Sequence, residues 1–79
     1  MQLEEMVKQK QIEMELNNSQ FAKYLGMNRA WVVKFFSKTS DKRPLRPISI
    51  FKLHNRLNIP IEVMEEYNEM VLNERESNN

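Results

Sequence analysis

Five short helices in a single all-α domain is the fold class this sequence predicts, and three observations predict it. Apolar residues recur at three- and four-residue spacing through five separate stretches, the period of a helix face turned towards a core. No stretch alternates apolar and polar residues as a half-buried strand does. Helix start and stop residues (Asn17, Gly26, Asn28, Pro47, Asn58 and Pro60) fall between those stretches.

Each helix has its own signature. Leu3, Met6, Val7 and Met14, with Lys10 in line, predict a first helix from Gln2 to Glu15. Asn17 suits the N-cap of a second helix, Asn18–Leu25, with Phe21, Ala22 and Leu25 on one face. Gly26, the only glycine of the chain, ends it where the residue after a helix takes positive φ. Asn28 then caps a third helix, Arg29–Ser37, whose apolar face is Val32 and Phe35. Pro47 fits the first turn of a fourth helix over Ile48–Leu57, with Ile48, Phe51 (or Ile50), Leu53 and Leu57 as its stripe. The fifth helix runs from Ile61 to about Arg75 on Ile61, Met64, Tyr67 (or Asn68) and Val71. Residues 1–76 therefore read as one domain and 77–79 as a disordered tail. The six methionines fall at helical core positions and read as packing.

Composition removes several classes of function. There is no cysteine, so disulfides and thiolate metal sites are excluded, and the single histidine, His54, cannot build a zinc cluster. His54 itself reads as an exposed residue on the polar side of the fourth helix. No apolar run approaches the roughly 20 residues of a membrane span, and no signal-peptide core opens the chain. There is no Gly-rich phosphate loop and no nucleophile paired with a histidine base; Glu62, Glu65, Glu66 and Glu69 belong to a solvated helix face. The expectation is a cytoplasmic protein that is not an enzyme, with no cofactor, no metal, no membrane partner and no small-molecule substrate.

The charge is unevenly placed. The chain carries a net +1, yet between Asn28 and Arg56 eight basic residues face one acid, Asp41. From Leu57 onward six glutamates face one arginine. A basic centre between acidic ends suits either a polyanion on one face or an ordinary solvated surface.

The stretch "FAKYLGMNRAWVVKFF", Phe21 to Phe36, carries the sharpest signal. Two short helices joined through glycine need a left-handed residue in the turn and a small residue, Ala22, where they approach. Phe21, Leu25, Met27, Val32 and Phe35 then point inward together. This is a helix-turn-helix pattern, although an αα-corner without a DNA role packs in a similar way. From Val7 to about Ile59 the chain resembles the lambda-type phage repressor and Cro group of Xre-like helix-turn-helix regulators. The resemblance rests on "VKQKQIEMELNNSQFAKYLGMNRAWVVKFF" and on the "KRP" beyond it. The chain departs from that family at Gln11 (commonly arginine), Asn18 (commonly glutamine) and Trp31 (commonly polar), and in a slightly long loop from Ser37 to Pro47.

A third helix that buries Val32 and Phe35 turns Arg29, Ala30, Val33 and Lys34 outward. Arg29 has the fork geometry for guanine, Lys34 reaches a guanine or a phosphate, and Ala30 and Val33 suit thymine methyl groups. Trp31 packs on sugar or shields the edge of the core, and packing against the fourth helix or the loop would equally account for Val33 and Trp31. Asn17 and Asn28 cap helices whose free N–H groups suit phosphates. The resemblance implies that Asn18 is a backbone-anchoring amide. Lys38, Thr39, Lys42 and Arg43 form a basic stretch beside the third helix, and the family's "KRP" implies phosphate or minor-groove contacts for Lys42 and Arg43. The expected partners are a double-stranded DNA operator and a second copy of the chain. In this reading the protein is a transcriptional regulator of repressor type from a bacterial or phage-infected cell. The competing expectation is a protein-binding module of the same fold, gripping an antirepressor-like or polymerase-inhibitor-like partner interface through Trp31 and Val33.

Overall fold

Residues Leu3–Met14 form α1, Asn18–Leu25 α2, Arg29–Phe36 α3, Pro47–Leu57 α4 and Ile61–Ser77 α5. The computed structural model describes residues 3–37 and 43–77, and among them there is no strand. The fold class read from periodicity, all-α with five helices, is the one observed. Helix α2 packs on α3 and α4, α1 packs on α3 and α5, and α4 packs on α5.

The buried line of α1 is Leu3, Val7 and Gln11, each four residues apart, with Met6 and Met14 half-buried beside it. The expected stripe passed through Lys10, one residue short of this line. Gln11 takes the core position because its amide has a partner on α2, described below.

Caps define α2 and α3. The Asn17 side chain accepts from the Gln20 N–H at 2.8 Å, and the Gln20 side chain accepts from the Asn17 N–H at 3.0 Å. This reciprocal box satisfies two of the orphan donors at a helix start. At the other end Gly26 is left-handed, φ +74°. Its N–H reaches Lys23 O, and the Met27 N–H reaches Ala22 O at 2.9 Å, the paired bonds of a Schellman ending. A Cβ added at Gly26 would meet only the Lys52 side chain, at 3.9 Å. Glycine is thus required for its φ and not for close approach. Ala22, Phe21, Leu25, Val32 and Phe35 are buried as expected, whereas Met27 is half-buried.

Helix α4 differs from its expected register. Pro47 occupies its first turn, and its buried residues are Ser49, Leu53 and Leu57. Ile48 and Phe51 are exposed, at 56% and 62%, and Ile50 is half-buried. Positions 49, 53 and 57 share one face at fourfold spacing, and Ile48 and Phe51 fall on another. Docking on α2 and α5 selected the face with two leucines and a serine over the face richest in apolar side chains.

Helix α5 buries Met64, Tyr67 and Val71 and leaves Ile61 41% exposed. Its core-facing stripe is thus mostly covered, while Ile61, Met70 at 47% and Leu72 at 46% remain exposed on its other sides. It also continues through Ser77, past the expected end near Arg75. Two residues outside any helix, Leu45 and Ile59, complete the core at 8% and 1% exposure. Asn68 on α5 holds Leu45 at both backbone groups: the Leu45 N–H donates to Asn68 Oδ1 at 2.7 Å, and Asn68 Nδ2 donates to Leu45 O at 3.2 Å.

Candidate functional site

The outward face of α3 is set by what its inward face buries. With Val32 and Phe35 in the core, Arg29, Ala30, Val33 and Lys34 are all exposed. Residues 29 and 33, and 30 and 34, are four apart and so form one contiguous strip. Val33 is 43% exposed and does not pack into the core. Trp31 lies at the flank, half-buried and stacked on Phe35 with centroids 5.1 Å apart and planes 6° from parallel. Of the roles open to Trp31, shielding the core edge is the one this geometry displays. Phe35 continues the aromatic layer to Phe36 and Tyr67, at 5.4 and 5.9 Å.

Three asparagines stand at the starts of α2 and α3. The Asn28 side chain accepts from the Trp31 N–H at 2.7 Å, and Asn17 makes the cap already described. In both, the oxygen is used, and the exposed amide retains its two N–H donors. Asn18 is oriented from behind. Lys8 Nζ donates to Gln11 Oε1 at 3.4 Å, and Gln11 Nε2 donates to Asn18 Oδ1 at 2.9 Å. An ammonium can only donate, so the direction of this relay is imposed from its start and leaves the Asn18 NH₂ as a donor. Lys8 is itself placed over the Phe36 ring, 4.8 Å from its centroid. Gln11, 4% exposed, is part of this relay and was missed by apolar periodicity, since the partner that lets its amide be buried lies on another helix.

Arg43 is exposed and begins the segment that Asn68 anchors at Leu45. Lys38, Thr39 and Lys42 lie outside the described residues. The turn and α4 are stapled together: Lys52 Nζ donates to Gly26 O at 2.6 Å, and the Tyr24 hydroxyl donates to Arg56 O at 3.1 Å. His54 is exposed yet not idle, because its Nδ1 lies 2.9 Å from Ile59 O and must carry the proton to bond a carbonyl. Between α3 and the start of α4 runs an open groove of about 510 Å³, bordered by Trp31, Lys34, Arg43, Arg46, Ser49 and Lys52 among others. Burial, then the nearby Glu4 and Glu74 carboxylates, push the Tyr67 hydroxyl beside this groove up to about 12.

Among the described residues no three His, Cys, Asp or Glu side chains are grouped to hold a metal ion, and no helix is long and apolar enough to cross a membrane. Comparison with known protein families, curated proteins and solved structures finds no match. What the chain can do chemically is therefore read from its own surface: a strip of donors and methyl groups, flanked by fixed amides and by cations.

Proposed function

We propose that the protein is a sequence-specific, double-stranded-DNA-binding transcriptional regulator of repressor type, using α2 and α3 as a helix-turn-helix. One observation carries the reading. The strip Arg29, Ala30, Val33 and Lys34 is exposed on a helix whose opposite side is fully anchored. A solvated helix face has no need of two apolar side chains between two long cations, whereas the major groove offers thymine methyls between acceptor edges. Helix α3 lies in that groove, Arg29 pairs with a guanine, and Lys34 reaches a guanine or a phosphate. Asn17, Asn18 and Asn28 donate to phosphates on either side of the groove, and Arg43, with Lys38, Thr39 and Lys42, tracks the backbone. The protein binds as a twofold dimer on half-sites about one helical turn apart. The cations that flank the strip favour DNA over a protein partner, which would not need them.

Selection of duplexes from a random pool, followed by anisotropy titrations over a salt series, tests the reading. A preferred site should emerge, and log affinity should fall with log salt by about 0.9 per phosphate neutralised. Arg29→Ala should fold normally, lose about 1–3 kcal/mol on that site and relax preference at one base pair per half-site. An absence of duplex binding at low salt would sink the proposal and leave the protein-binding module standing.

A further inference from the structure

The groove between α3 and α4 has a chemistry that the DNA-binding strip does not explain. Its wall is aromatic and apolar, from Trp31, Phe35, Leu45 and Tyr67, while Lys34, Arg43, Arg46 and Lys52 border it. Its volume, about 510 Å³, is that of a small-molecule site. The first turn of the eleven-residue α4 faces it without a cap: the N-cap residue Arg46 makes no side-chain bond to the helix. Pro47 has no N–H, and the first bond into the helix is made by Ile50, to Arg46 O at 3.0 Å. The Ile48 and Ser49 amides precede that bond and are left to an external acceptor. An independent observation points the same way. Ser49 is 9% exposed and lines the groove, and its hydroxyl has no hydrogen-bond partner among the described residues. Since no buried side-chain oxygen or nitrogen among the described residues lacks a partner, the Ser49 hydroxyl is the part of this largely buried residue that opens into the groove.

We infer that this groove binds a small organic anion, a flat apolar body bearing a phosphate or carboxylate, and that its occupancy competes with DNA. The head group accepts from the Ser49 hydroxyl and the free amides of the α4 first turn, where the helix dipole favours negative charge. Arg46 and Lys52 neutralise it, and the body lies against the Trp31–Phe35 stack. Competition follows because Asn28, Trp31 and Lys34 belong both to the groove and to the DNA-facing surface. Binding of the anion stands on the groove alone; the competition rests on the DNA-binding reading.

The two are separable by experiment. Trp31 is the only tryptophan, so its fluorescence reports the groove directly in the free protein. Titration with 1-naphthyl phosphate should give a saturable change in Trp31 emission, with amide shifts at Ile48 and Ser49 in a ¹⁵N–¹H spectrum. Inorganic phosphate and 1-naphthol, each lacking half of the recognised chemistry, should bind about tenfold more weakly or worse, and Ser49→Ala should weaken the naphthyl phosphate by a similar factor. Arg46→Gln, at an exposed position that leaves the fold alone, should weaken it too. Saturating naphthyl phosphate should then displace a selected duplex. Binding of inorganic phosphate as tight as that of the aryl phosphate would reduce the groove to a DNA-backbone anchor and overturn the inference. So would unsaturable emission changes, a folded Ser49→Ala protein with unchanged affinity, or undiminished duplex binding at saturation. A protein that binds no duplex at all would refute the function proposed above, while the fluorescence titration would still decide the groove.

Discussion

Gly26 and Tyr67 carry the sharpest consequences of single side chains. Gly26 sits at φ +74°, and a Cβ there would make only ordinary contact with the Lys52 side chain, so the cost of replacing it is backbone strain, about 1–2 kcal/mol for an ordinary residue. Gly26→Val should lower the melting temperature more than Gly26→Asn, since asparagine tolerates the left-handed region. Equal losses for the two would mean that crowding, not φ, selects glycine. Tyr67 couples the fold to alkaline pH. Its hydroxyl is raised to about 12 from 10.0, so the folded state holds the proton more tightly than the unfolded chain. The stability this contributes is complete below about pH 10 and is lost as pH rises towards about 12. Denaturant titrations of the wild type and Tyr67→Phe should diverge across that window by on the order of 2 kcal/mol. Parallel profiles would show that the hydroxyl is solvated in the folded protein.

At the scale of elements, the segment leading into α4 is held by α5 and not by its own sequence. Asn68 takes both backbone groups of Leu45, at 2.7 and 3.2 Å. Asn68→Ala removes both bonds and leaves a buried residue's N–H and C=O without protein partners, a loss of about 1–3 kcal/mol. Its second effect should be local. Amide exchange should accelerate at Leu45 and Arg46 beyond any rise in α1, because the clamp binds that segment alone. A uniform rise along the chain would show that Asn68 matters only to global stability. Helix α4 makes the complementary point about faces. Its Ser49–Leu53–Leu57 line is buried and its Ile48–Phe51 pair is not, so apolar content alone did not determine which side docked.

For the whole molecule, that exposed pair bears on assembly. Phe51 at 62% and Ile48 at 56% exposure stand together, three residues apart, on the outer side of α4. On α5, Met70 and Leu72 are exposed at 47% and 46%, less than this pair, so we propose the start of α4 as the surface for a second copy. On the proposed dimer, Phe51→Ser should leave folding nearly unchanged, shift sedimentation to that of a monomer, and weaken binding to a paired site about tenfold or more. Affinity for a single half-site should stay the same. A Phe51→Ser protein that remains dimeric would move the interface elsewhere. Along the chain, eight cations against one acid lie between Asn28 and Arg56, and the acidic excess lies beyond Leu57.

Local rules determined the helices. Asn17, Gly26, Asn28 and Pro47 act on backbone groups within a few residues of themselves, so the helix ends they set were legible before any packing was known. The exposed strip of α3 was legible for the same reason: two buried residues on an eight-residue helix orient all the others. Tertiary structure decided what no local rule reaches. Gln11 reads as surface because its partner, Asn18, sits on another helix and supplies the bond that lets an amide be buried. Leu45 and Ile59 carry no periodic signal, since a residue outside a helix enters the core only when the surrounding elements close around it. The register of α4 and the groove beside it depend in turn on α2, α3 and α5 arriving together. Periodicity ranks the faces of one helix by their own side chains, whereas burial is a property of two surfaces meeting.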